Sequence, residues 1–132
     1  MTVKKPDRNL PDVELEVQNR AYELFAHTAQ CCSNEHTIPK RLRWCIGHAL
    51  VDATRSVCRN IDIANTMRLD REEERVMRRK YQALALGCLY NVRTELHLAW
   101  TSHHFDDDKL IYWLDLIKEV EKLLKSWMKS EA

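Results

Sequence analysis

From Lys109 to Lys129 the apolar residues Leu110, Trp113, Leu114, Leu116, Ile117, Val120, Leu123, Leu124, Trp127 and Met128 recur at helical spacing. At about 100° per residue they cover an arc of roughly 200°, with Ile111 outside it. A helix packed on one core needs a stripe little more than ~100° wide. The excess predicts a helix that packs on its own bundle and on a second copy of the chain, with Leu116, Leu123 and Trp127 between copies.

Three further helices precede it. Residues 1–11 read as a polar, proline-bearing lead-in. Asp12 is an expected N-cap, and Val17, Ala21, Leu24, Phe25 and Thr28 keep helical phase to about residue 32. Pro39 suits a first helical turn, so the second helix is expected over 39–66, carrying Leu42, Ile46, Leu50, Ala53, Val57 and Ile61. Asp70 and Glu73 fit a loose capping box for a third helix over 70–102. Asp106, Asp107 and Asp108 supply the cap and first-turn charge of a fourth helix over 107–129. Short connections make sequential helices antiparallel. The expected fold is all-α, one antiparallel up-down-up-down four-helix bundle spanning 1–132 that oligomerises.

Composition supports this. Two Gly and three Pro in 132 residues leave little room for the turns of a β-sandwich. Five Cys form no repeated framework, and no signal segment or membrane-length apolar run is present. The expectation is a cytoplasmic protein with reduced thiols and no membrane partner, with Cys45, Cys58 and Cys88 as small core residues.

The net charge of +1 hides a division. Residues 37–66 carry +3 and 67–104 carry +2, while each outer segment carries −2. Such asymmetry points to an anionic partner for the middle, or to attraction between a subunit's own parts. Arg68, Arg71, Arg75, Arg78 and Arg79 fall at spacings of three and four, with Lys80 beside them. Arg55 and Arg59 lie one turn apart on the second helix and are expected level with Arg75–Arg79, in one patch. Arginine forks suit phosphate oxygens. The competing account is a self-paired face, Glu72 with Arg75 and Glu74 with Arg78. Lys40, Arg41, Arg43 and Arg93 form a second basic group. No aromatic platform is evident among these charges, and Trp44, Trp100, Trp113 and Trp127 read as core and interface fillers.

Catalytic chemistry finds no support. Cys45 and His48 share a helix face without an apparent orienting group. Cys31, Cys32, His36, His103 and His104 are the ligand types of a zinc site, but without C-x-x-C or H-x-x-x-H spacing. Glu95 lacks a histidine three residues on, which a di-iron bundle requires. No catalytic residue, metal or cofactor is expected.

The segment Leu116-Ile117-Lys118-Glu119-Val120-Glu121-Lys122-Leu123-Leu124-Lys125-Ser126-Trp127 resembles the final helix of the accessory variability determinant proteins of diversity-generating retroelements. Ile38-Pro39-Lys40-Arg41 with Ile46-Gly47 resembles the start of their second helix, and Tyr22-Glu23-Leu24 fits their first. The basic junction Arg68–Lys80 and the Arg93 region fit their third. The four-helix proteins encoded in intervening sequences of large ribosomal RNA genes are similar too. The resemblance implies a pentameric barrel of bundles in a bacterial or phage-encoded system, without enzymatic activity. It implies association with the element's reverse transcriptase and template RNA, or DNA, in support of mutagenic complementary-DNA synthesis. The chain departs from the family in its near-neutral charge, and in His97 where a second basic residue would follow Arg93. Two other readings stand beside it: a structural homo-oligomer that recruits a protein without touching nucleic acid, and a small metal-binding bundle.

Overall fold

The computed structural model describes residues 15–132. The lead-in and the Asp12 cap lie outside the described residues. Four α-helices follow: α1 Glu16–Cys32, α2 His48–Asn65, α3 Glu72–Ser102 and α4 Asp107–Ser130. No strand occurs among the described residues.

Local chemistry sets the helix ends. The Gln18 side chain reaches back to accept the Leu15 N–H at 3.1 Å, which satisfies a first-turn donor of α1. Ser33 closes the same helix, its N–H and its hydroxyl both donating to the Ala29 carbonyl. Glu72, Glu73 and Glu74 occupy the first turn of α3 and Asp107 and Asp108 that of α4, where the helix dipole favours negative charge.

Two expected boundaries are corrected. The second helix does not run regularly from Pro39. A 3₁₀ turn (Lys40–Leu42) and a π turn (Arg43–Gly47) come first, and regular α geometry begins at His48. Thr37 and Ile38 are buried and Gly47 packs near Ile38 and Cys32, so the wide turn takes up the register between that anchor and Leu50 in the core. The capping box at Asp70 does not form either. Arg68 takes both Asp70 oxygens, at 2.8 and 2.6 Å, and Arg71 becomes the N-cap of α3 with no side-chain cap bond. A bidentate guanidinium outcompetes a single backbone N–H.

Each helix touches two others: α1 packs on α2 and α4, and α3 packs on α2 and α4. The enclosed core holds Leu24, Leu50, Val57, Ile61, Leu89, Leu96, Ile117 and Leu124, with Trp113 fully buried among them. Trp113 Nε1–H donates to the Thr28 hydroxyl at 3.0 Å, and that hydroxyl donates to the Leu24 carbonyl at 2.7 Å. A buried indole thereby keeps its hydrogen bond. Asp62 fastens α1 to α2 by accepting from Gln18 Nε2 at 2.9 Å and from the Tyr22 hydroxyl at 2.6 Å. No helix of the described residues is long and apolar enough to cross a membrane.

Candidate partner-binding surface

The basic residues divide by what already holds them. Arg78 is a structural residue, contrary to the expectation of a solvent-facing patch. It is 3% exposed, and its guanidinium forms two 2.7 Å bonds to Glu131. It also donates to the carbonyls of Met67 at 2.8 Å and Ala64 at 3.3 Å, and lies 5.0 Å over the Trp127 ring. Gln82 and Trp127 both donate to Glu131 as well, at 2.9 and 2.7 Å. This network joins α3, α4 and the α2–α3 connection.

The expected pairs of Glu72 with Arg75 and Glu74 with Arg78 are not the ones formed. Arg75 donates twice to the Leu69 carbonyl, and Glu74 accepts from Arg71 at 3.3 Å. Arg68 binds Asp70, whose carboxyl that hydrogen bond holds below its ordinary range. Arg55 also has an acidic partner: Asp52 lies at 2.7 Å, and the guanidinium sits 5.5 Å from the Phe25 ring. Asp62, three residues after Arg59, is turned to α1 instead.

Nor do Arg55 and Arg59 join Arg75–Arg79 in one patch. Asn60 Nδ2 lies 3.5 Å from Cys88 Sγ, so Arg59 stands level with the middle of α3. Nine residues of helix separate Arg79 from Cys88, about 14 Å along the axis. Arg93 faces α4, where it approaches Glu121 at 4.0 Å. Burial alone would raise the Glu121 carboxyl. The hydrogen bonds of Lys125 and Tyr90 and the charges of Lys125 and Arg93 outweigh it and hold it low.

Arg59, Arg79, Lys80 and Arg41 are exposed and have no side-chain partner among the described residues. Arg41 lies beside the feature that the sequence reading missed. Trp44 is 84% exposed, not a core or interface filler within the chain. The π turn carries it, and its ring stacks on His48 with centroids 5.5 Å apart and planes 21° apart. It borders an open groove of about 560 Å³ whose wall includes Lys40, Arg43, His48 and Val51. Arg43 donates to the Ser33 carbonyl at 2.9 Å and approaches Glu35 at 3.6 Å, while its Nε is buried without an acceptor among the described residues. An aromatic platform is therefore present among these charges. The signal was in the sequence: at about 100° per residue, Trp44 points about 180° away from Ala53 of the buried stripe.

Trp127, expected between copies, is 6% exposed and enclosed by its own chain through Arg78 and Glu131. Because α4 packs on both α1 and α3, a wide apolar arc is consumed by two neighbours at once. Leu116 and Leu123 are half-buried and keep an edge at the surface. Exposed apolar positions fall elsewhere, at Val76, Leu84 and Leu98 on α3 and at Ile111 and Tyr112 on α4.

Cys45 is exposed rather than a core residue, and its thiol points to the Leu42 carbonyl at 3.7 Å. His48 does have an orienting carboxylate, Asp52 at 3.0 Å, but Cys45 makes no hydrogen bond to that imidazole. Burial pushes the thiols of Cys32 and Cys58 up to about 12, and neighbouring Cys31 and Asp62 respectively add to it. Cys31 is raised by burial as well, and burial lowers His27, 3.3 Å from the Cys31 sulfur. These are shifts toward neutral forms, opposite to those of an activated thiolate–imidazolium pair. Among the described residues no three His, Cys, Asp or Glu side chains gather as a metal site. His103 meets the His36 carbonyl at 3.3 Å rather than the thiols. Compared with known proteins, the chain matches no protein-family model and shows no significant similarity to a curated protein.

Proposed function

We propose that this protein is a non-enzymatic accessory protein of a diversity-generating retroelement. In this reading it is an antiparallel up-down-up-down bundle that assembles with copies of itself, binds the element's reverse transcriptase and template RNA, and supports mutagenic complementary-DNA synthesis. The observation that carries it is a group of exposed cations in the basic middle of the chain with no side-chain partner among the described residues, Arg41, Arg59, Arg79 and Lys80. Arg68, Arg71 and Arg55, by contrast, are held by Asp70, Glu74 and Asp52. Free arginine forks are available to phosphate oxygens, and each phosphate they neutralise releases counterions.

The test is co-purification with a neighbouring reverse transcriptase, followed by native mass measurement with and without its RNA. The expected result is a complex of several copies with the polymerase. Arg59→Ala with Arg79→Ala and Lys80→Ala then weakens RNA retention and lowers the salt dependence. RNA retention unchanged by these substitutions refutes the assignment of the surface.

A second reading, a homo-oligomer that recruits protein and no nucleic acid, draws on α3. Val76, Leu84 and Leu98 are exposed along it, and Ala83 and Gly87 line a shallow groove beside Leu84. Gly87 has open space where a Cβ would stand. Mid-helix glycine costs about 1 kcal/mol against alanine, and its presence on an exposed apolar face suits close approach of another helix. Assembly that Leu84→Glu abolishes, with no RNA bound by the intact protein, favours this reading over the first.

A further inference from the structure

The groove beside Trp44 lies on a different part of the bundle from Arg59, Arg79 and Lys80, and combines three properties. The indole is the most exposed of the large apolar side chains, yet it is not loose, because His48 supports one face. His48 is in turn held by Asp52, which Arg55 also holds. The platform is therefore built in layers from Arg55 outward, and the other face of the indole looks to solvent. Lys40 lines the groove and Arg41 follows it in the chain, both exposed and without side-chain partners among the described residues. The π turn that presents Trp44 is a departure from regular helix of the kind often found at functional sites.

An occupant must offer a flat π face to the indole and negative charge to Lys40 and Arg41. A duplex hides its bases in the stack, so only its phosphates could reach this groove. A single strand offers both groups from one nucleotide: a free base to stack and a flanking phosphate to pair. We infer that Trp44, backed by His48 and flanked by Lys40 and Arg41, is a stacking platform for an unpaired nucleotide of single-stranded nucleic acid. The inference rests on the nucleic-acid side of the proposed function and sharpens it to single strands. Arg59, Arg79 and Lys80 would contact backbone only and serve duplex and single strand alike.

The experiment measures fluorescence anisotropy of a labelled oligouridylate of about 20 nucleotides, longer than the ~4–16 that such sites span, against an RNA duplex of equal length. The full chain is used. The expected result is that Trp44→Ala weakens single-strand binding about tenfold and leaves duplex binding unchanged. Trp44→Phe restores single-strand affinity to within about threefold, since any aromatic face stacks. Lys40→Ala with Arg41→Ala reduces the single-strand salt slope by about 1.4, about 0.7 for each lost phosphate contact. Unchanged thermal melting of the Trp44 variants shows that the fold is intact. Single-strand binding unaffected by Trp44→Ala overturns the platform. If duplex and single strand bind equally and both depend on Arg59 and Arg79, the platform falls while the proposed function stands. If the intact protein binds neither, both fall. Capture of a protein partner that needs Trp44, with no oligonucleotide bound, replaces the inference with a protein contact.

Discussion

Glu131→Ala removes the acceptor on which four side-chain bonds converge. Two come from Arg78 at 2.7 Å, one from Gln82 at 2.9 Å and one from Trp127 at 2.7 Å. Arg78 and Glu131 are 3% and 5% exposed, so water screens the pair little. Breaking a buried pair by deleting one partner costs about 3–5 kcal/mol, because an uncompensated charge stays behind. The lower end applies here. Arg78 keeps the carbonyls of Met67 and Ala64 and the face of Trp127. A loss of about 3 kcal/mol is a large share of the roughly 5–15 kcal/mol of a domain's total stability. In a chain of this size it lowers Tm by on the order of 10 °C. The assay is urea unfolding followed by far-ultraviolet circular dichroism and tryptophan emission. The midpoint should fall with an unchanged slope, and the change should persist at high salt. Glu23→Ala, which breaks the exposed Arg20–Glu23 pair, is the control and should leave the midpoint almost unmoved. Replacing both buried partners, Arg78→Met with Glu131→Leu, should recover much of the loss, since a well-packed apolar pair often matches a buried ion pair. A Glu131→Ala protein within about 0.5 kcal/mol of the parent would show that the network contributes shape and no net stability.

Other expectations follow from single contacts. The Tyr22 phenol is pushed up to about 12, first by its hydrogen bond to Asp62 and then by burial. Its folded value exceeds the ordinary value of about 10, so its stabilising contribution is complete below pH ~10 and is lost as pH rises from there to about 12. Ultraviolet titration should therefore show a late phenolate fraction that Tyr22→Phe removes; identical titration ends refute it. With iodoacetamide at neutral pH, Cys45 should be modified first, and Cys32 and Cys58, both pushed up to about 12, only on unfolding. Peptide mass mapping over time decides this, and early labelling of Cys32 would contradict its burial. Gly87→Ala should stabilise an isolated subunit by up to about 1 kcal/mol, since the added methyl meets open space. If copies approach through this face, the same substitution should weaken assembly in sedimentation while raising thermal stability. Lowered thermal stability would show that the space is not open.

The helices were legible because their signals are local. The Asp106–Asp108 run and the apolar phase of residues 110–128 place α4 within a residue of its bounds, and Pro39 and Asn65 bracket the second helical segment. What stayed hidden depends on groups distant in sequence. Arg78 reads like its neighbours until Glu131, fifty-three positions away, is seen to enclose it. The Asp70 cap failed because Arg68 lies within reach of the same carboxylate. The π turn depends on Ile38 and Gly47 settling against one another, which no periodicity announces. The Arg55–Asp52 pair and the outward phase of Trp44 are local features, three positions apart on one helix and half a turn from the core stripe, and both stand in the sequence.

The hydrogen bond from Trp113 to Thr28 spans eighty-five positions. A ribosome adding roughly 5–20 residues per second needs several seconds to travel that distance. Throughout that interval the flank of α1 that α4 will cover has no cover, while α2 and α3, joined by a short turn, can already meet. Birth of this protein thus includes a stage when the first three helical segments have been made and the strip of polypeptide that covers their greasy flank has not.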